Sequence, residues 1–142
     1  FITDLYFIKD TIINVSENKR ILIKLSKIES GNREIQSNLI FEKSSTKLTD
    51  KSFPYLNDLL NIFKNNINLK ITIEGHTDNS GSLKNNIRLS KERAEFIKGF
   101  LVKNGIKKGQ IKVKGYGPTR PKYSNDSEEL RVKNRRVEIY IN

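Results

Sequence analysis

Two stretches of helical periodicity, each set between short segments that alternate with a period of two, hold this chain to a fold of strands and helices in turn. The first stretch carries Phe53, Leu56, Leu59, Leu60 and Phe63 at steps of three and four, which makes one apolar stripe. Thr49-Asp50 offers it a cap, and Pro54 falls in the first turn, where a missing N–H costs little. The second stretch points Leu89, Phe96, Ile97, Phe100 and Leu101 inward and stops at Gly105. Short strands are expected at residues 38–41, 69–73, 111–114 and 137–141. The order is βαβαβ with one more strand. Both helical connections are long enough for crossovers, so the first three core strands are expected to be parallel.

The preceding segment reads differently. Ile21, Ile23 and Leu25 alternate with Leu22, Lys24 and Ser26, Ile12, Ile13 and Val15 form a β-branched cluster, and Ser30-Gly31-Asn32 punctuates like a turn. Two or three short strands make no stable core alone, so they pair with the main body of the chain or end a neighbouring domain. The expected division is a β-rich segment over residues 1–35 and a main domain over 36–142.

Composition narrows the chemistry. No Cys and one His remove thiol catalysis, disulfide frameworks and Cys/His zinc sites. At 142 residues, 35% hydrophobic and 30% charged, the chain has the composition of one ordinary globular domain. Its apolar runs fall far short of the ~20 residues of a membrane helix. The net charge of +11 invites a polyanion, but the chain is rich in Lys, Asn and Ile together, a drift that also raises charge. Interleaved aromatics and nucleic-acid motifs are missing, so no nucleic-acid partner is expected. With no initiator Met, basic n-region or apolar h-region, Phe1 is expected to begin a mature or trimmed piece.

In open α/β sheets ligands gather beyond the carboxyl ends of the strands. Three exits converge there: Phe41-Glu42, Gly75-His76-Thr77-Asp78 and Tyr116-Gly117. The second is densest in polar residues and continues Asn79-Ser80-Gly81-Ser82, where turn-forming residues expose backbone N–H groups. Arg93, on the following helix, can face Asp78 across this exit. The two are either an ion pair tying loop to helix or two charges held apart to clasp a zwitterion, and spacing does not choose. Arg135 and Arg136 enter the last strand together and must point to opposite faces. His76, Asp78 and Ser80 make no hydrolase, since three residues on one short loop do not reach triad roles and no nucleophile elbow is present. A lone His with scattered carboxylates gives no metal site, and no cofactor is expected.

The run Gly75-His76-Thr77-Asp78-Asn79-Ser80-Gly81, then Asn86, Leu89-Ser90 and Arg93-Ala94, resembles the signature of OmpA-like domains. These are the peptidoglycan-binding modules of outer membrane protein A, the Pal lipoprotein and the flagellar stator protein MotB. Gly115-Tyr116-Gly117, Pro121, Asn125 and Asn134-Arg135-Arg136-Val137-Glu138 come after it in the family's order, and Leu39-Ile40-Phe41-Glu42 with Leu48 fits its first strand and loop. The resemblance covers about residues 36–142 and not 1–35.

It implies a two-layer α+β fold, a mixed sheet with two main helices on one face. It also implies a non-enzymatic anchor in the periplasm, attached to the outer membrane or envelope through parts outside this chain. By position, Asp78 and Arg93 would grip the diaminopimelate of the stem peptide. Thr77, Asn86 and Arg135 would add contacts, Ser80 and Gly81 backbone groups, and Phe41 and Glu42 the first-strand side. Departures are Glu42-Lys43, where members commonly have Asp and an apolar residue, and Leu130, where Gly is common. The resemblance leaves open a stator or secretion-system component as the parent assembly.

Overall fold

The computed structural model describes residues 39–142 in full and, before them, the backbone of four strands: β1 (Asp4–Ile8), β2 (Thr11–Val15), β3 (Leu22–Leu25) and β4 (Arg33–Gln36). The turn expected at Ser30-Gly31-Asn32 lies outside the described residues. After β4 come α1 (Phe53–Asn65), β5 (Ile71–Gly75), α2 (Leu83–Lys103), β6 (Ile111–Gly115), α3 (Glu128–Asn134) and β7 (Val137–Ile141). β1 and β2 pair with each other as an antiparallel ribbon, and the other five strands form one sheet in the order β3-β4-β7-β5-β6. β5 and β6 run parallel, while β7 is antiparallel to both β5 and β4.

The expected first core strand is not a strand of this sheet. Ile40 bridges Arg136 and Phe41 bridges Leu48, each an isolated antiparallel pair, and Asn38 lies outside the described residues. The backbone of Ile40 is already engaged: its N–H donates to Ser52 Oγ at 2.9 Å, and its carbonyl accepts from the Thr49 N–H at 3.0 Å. β7 takes the place beside β5, so the three expected parallel strands reduce to one parallel pair.

Period-two alternation sorts the sheet into two faces. Ile71, Ile73, Ile111, Val137, Ile139 and Ile141 are buried with Leu56, Leu59 and Phe63 of α1 and Ala94, Ile97 and Leu101 of α2. Each large apolar side chain withdrawn from water this way stabilises the fold by roughly 1.5–3 kcal/mol. The opposite face carries Thr72, Glu74, Lys112, Lys114, Glu138 and Tyr140.

The helices depart from the sequence reading at their ends. α1 begins at Phe53 behind a 3₁₀ turn, with Ser52 as its N-cap, because the Thr49 hydroxyl is bonded to Ser52 Oγ at 2.7 Å. Phe53 is exposed rather than part of the inner stripe. Phe96 is also partly exposed, and its ring meets buried Phe41 edge-on at 6.2 Å. α2 starts at Leu83, where the Ser82 hydroxyl accepts the Asn85 N–H, and ends before Gly105, whose φ of +101° suits glycine alone. α3, a short helix absent from the sequence reading, is capped by Ser127 Oγ accepting the Leu130 N–H.

Close approach places α2 on the sheet. A Cβ on Gly75 would lie 1.9 Å from the Ser90 carbonyl oxygen, and one on Gly115 would lie 2.6 Å from the Lys91 nitrogen. Only glycine at both strand ends lets the helix backbone rest there. Among the described residues no helix is long and apolar enough to cross a membrane.

Candidate functional site

Arg93 sits in the middle of α2, clear of the positive end of its dipole. The side chain is fully buried and lies across the carboxyl edge of the sheet. Its guanidinium donates to three backbone carbonyls: Nε to Ser45 at 2.9 Å, Nη1 to His76 at 3.3 Å and Nη2 to Glu42 at 3.0 Å. The Phe41 ring lies beneath, 5.3 Å from the guanidinium carbon. Arg93 therefore ties the 42–45 loop to the exit of β5. Burial, with the like charge of Arg135, pushes its pKa down to about 10 against the opposing pull of Asp78, so it is a cation at neutral pH.

The exit of β5 is pinned from both neighbours. The His76 N–H donates to the Arg136 carbonyl and the Thr77 N–H to the Gly117 carbonyl, so the chain delivers Asp78 at a fixed height above the sheet. Asp78 Oδ1 accepts the Ser80 N–H at 2.8 Å, closing an Asx-type turn. Asp78 Oδ2 accepts from Arg135 Nη1 at 2.8 Å. Burial raises the Asp78 pKa, but the bonds from Arg135 and Ser80 outweigh it and hold the group below the usual carboxylate range. The Asp78–Arg93 ion pair weighed from spacing is not made; Asp78 pairs with Arg135, and Arg93 with three carbonyls.

Arg135 is held in turn by Glu128 of α3, which accepts Nη2 at 2.9 Å. Its Nε is buried without a hydrogen-bond partner. Arg136 points the other way, from Nε to Glu138 at 2.8 Å and from Nη2 to the Arg120 carbonyl, so the two arginines do divide between faces. Glu128 is the site residue that sequence reasoning missed. The signal was Ser127-Glu128-Glu129, a cap followed by acids in a first turn, which places one carboxylate toward residue 135.

Asp78, Arg93 and Arg135 line one recess together with Thr77, Ser80 and Asn86. Lys43, Ser44 and Leu89 complete its wall. Its volume is about 20 Å³, room for one water-sized group. Thr77 Oγ1 donates to the Asp78 carbonyl, and Asn86 Nδ2 donates to the Ser80 carbonyl at 2.8 Å, so both shape the loop. Gly81 carries a φ of +86° that turns the chain toward α2. Glu42 contributes its carbonyl to Arg93 while its side chain lies exposed near Lys47. Phe41, expected to offer a contact, is instead buried under the guanidinium and supports it from below. A larger groove of about 910 Å³, lined by Leu39, Pro54, Tyr55, Tyr123, Val132 and Arg136 among others, shares no wall residue with this recess.

A two-layer α+β domain with a charged recess at the carboxyl edge of its sheet is a binding module in form. The OmpA family model matches residues 40–135, and the chain belongs to that family. It is 36% identical over 104 residues to the peptidoglycan-binding protein ArfA of Mycobacterium tuberculosis, covering 73% of this chain and 32% of that protein. It is 34% identical over 115 residues to the peptidoglycan-associated lipoprotein of Buchnera aphidicola, covering 81% and 64%. The chain thus spans less than two thirds of the length of either relative. Among solved structures, the cell wall anchor of the type VI secretion system from Pseudomonas aeruginosa superposes with a TM-score of 0.66 at 25% identity, covering 86% of this chain and 87% of that one.

Proposed function

We propose that this domain binds peptidoglycan non-covalently through the diaminopimelate of the stem peptide and anchors an envelope protein to the cell wall in the periplasm, without catalysis. The observation that carries the reading is the shared recess of Asp78, Arg93 and Arg135. One carboxylate, already paired with Arg135 at 2.8 Å, shares a recess of about 20 Å³ with the Arg93 guanidinium. A free amino-acid head offers the matching pair, ammonium to Asp78 and carboxylate to the guanidinium side. Three of the five N–H donors of Arg93 are committed to carbonyls, and Arg135 Nε is unpartnered, so the two guanidiniums keep donors in reserve for a carboxylate.

The local charge favours the same ligand. Lys43, Arg93 and Arg135 outnumber Asp78 around the recess, which suits a stem peptide with more carboxylates than ammonium groups. Charge-assisted bonds contribute ~1.5–3 kcal/mol each, so two to four of them support millimolar to micromolar binding. That is enough for a tethered module facing a polymer of identical sites, where the effective concentration is high. The relatives named above include a peptidoglycan-binding protein, a peptidoglycan-associated lipoprotein and a cell wall anchor, which supports the wall as partner. The same recess serves a lipoprotein, a stator or a secretion assembly equally.

Co-sedimentation with purified sacculi tests the reading. Pelleting of the chain that survives 0.3 M salt and is competed by soluble diaminopimelate-containing muropeptide is the expected result. Pelleting abolished by salt alone, or unaffected by the muropeptide, would reduce the interaction to the +11 charge.

A further inference from the structure

The open face of the sheet holds a second cluster that the peptidoglycan reading does not use. Glu74 and Glu138 are direct cross-strand partners in the β5–β7 ladder, so their carboxylates stand side by side on one face. Like charges directly opposite destabilise a sheet unless a cation relieves them. The His76 ring lies at the same end of the pair. It is 1% exposed, and neither ring nitrogen has a hydrogen-bond partner. Leaving a buried imidazole without a hydrogen bond costs about 1–3 kcal/mol, and the Glu138 carboxylate stands 3.5 Å from Nε2.

From this arrangement the geometry points to a divalent transition-metal site, of the zinc type, formed by Glu74, His76 and Glu138. One ligand atom from each lies within 4.8 Å of the other two. His76 Nε2 and Glu138 Oε2 are 3.5 Å apart, long for a hydrogen bond. It is close to the edge of a tetrahedron with bonds of ~2.0–2.1 Å, which is about 3.3 Å. Three protein ligands leave a fourth position for water.

The surrounding groups hold the two carboxylates as outer partners of a metal site do, while His76 is fixed by ring stacking. Arg136 binds the far oxygen of Glu138, Oε1, at 2.7 Å, and the Tyr140 hydroxyl donates to Oε2 at 2.6 Å. The Tyr116 hydroxyl reaches Glu74 Oε1 at 3.4 Å, and its ring stacks on His76 at 5.7 Å with 20° between planes. Arg120 covers the Tyr116 ring at 3.8 Å, and Lys114 is the neighbour of Glu74 on the β6 side. These cations offset the carboxylates, so the site is expected to bind more weakly than a structural zinc site. It does not depend on the peptidoglycan reading.

His76 is the single histidine of the chain, so its ring signals are unambiguous. Zinc chloride is titrated into the full chain at pH 7.5, and the imidazole ¹⁵N resonances are followed. Saturable movement of the Nε2 signal at one equivalent is expected, with affinity at least about tenfold weaker in Glu74→Gln. Glu74 is half-buried and its replacement keeps the shape, so that variant serves even if His76→Asn fails to fold. Ring signals that move with pH but not with zinc would overturn the site in favour of a proton on His76. Equal zinc affinity in Glu74→Gln would overturn it as well.

Discussion

Arg135 Nη1 lies 2.8 Å from Asp78 Oδ2, and both side chains are more than nine-tenths buried. The carboxylate at the centre of the recess is thus neutralised before any ligand arrives, and Glu128 steadies the same guanidinium from the solvent side. A ligand ammonium shares Asp78 with Arg135 or displaces it. Either way the recess is preorganised, since Asp78 needs no further desolvation when the ammonium enters.

Asp78→Asn keeps the volume and the Ser80 turn but removes the charge. The loss of one charge-assisted bond lowers stability by about 2 kcal/mol, because Glu128 still holds Arg135. Sacculus binding is expected to fall at least about tenfold, read by co-sedimentation beside a thermal melt. Unchanged binding would remove Asp78 from the site.

Arg93 has two separable roles. Arg93→Ala strands the carbonyls of Ser45, His76 and Glu42 and opens a cavity beside Phe41. A loss of about 3–5 kcal/mol is expected, so this variant reports folding more than binding. Arg93→Lys keeps the charge without the planar fork. Its melt should fall less than that of the alanine variant, while sacculus binding falls at least about tenfold.

Gly75→Ala tests how α2 is seated. The added methyl has no room against the Ser90 carbonyl, which is backbone and cannot rotate away. Overpacking of this kind costs about 3 kcal/mol, measurable as a shifted urea midpoint. Gly99→Ala on the exposed side of the same helix meets nothing within 4 Å and is expected to be neutral or slightly stabilising.

Acid should find the site late. The folded pKa of Asp78 is depressed, so the stability it contributes is complete above the unfolded value near 3.9 and fades as pH falls through the lower folded value. The side-chain ¹³C carboxylate signal of Asp78 should titrate with a midpoint below 3.8. A midpoint above that would show that burial, not Arg135, governs the group.

The parts readable in the sequence are those written in local periodicity. The alternation of Ile71 and Ile73, the stripe of α1 from Leu56 to Phe63 and the Gly105 stop are local signals, and the structure keeps them. Ile40 reads as a strand residue, but its backbone is claimed by Thr49 and Ser52 of the next loop, which a local pattern does not show. Phe96 fits the apolar stripe of α2, yet it stays partly exposed with its ring edge-on to Phe41. Asp78 and Arg93 could be placed at one sheet edge because the exit of β5 leads directly into α2, which packs back over it. That Arg135 would take Asp78, leaving Arg93 to three carbonyls, depends on α3, whose two turns carry too short a pattern to stand out.

The most direct measurement is a calorimetric titration of a stem tetrapeptide with diaminopimelate at its third position, with the same peptide carrying lysine there titrated in parallel. Within the peptide the α-groups of both residues are used up, so diaminopimelate keeps a free amino-acid head while lysine offers a side-chain ammonium alone. Saturable binding of the diaminopimelate peptide, absent with the lysine peptide and lost in Asp78→Asn, is the expected result. Equal binding of the two peptides, or none by the diaminopimelate peptide at millimolar concentration, would contradict recognition of an amino-acid head by the recess of Asp78, Arg93 and Arg135.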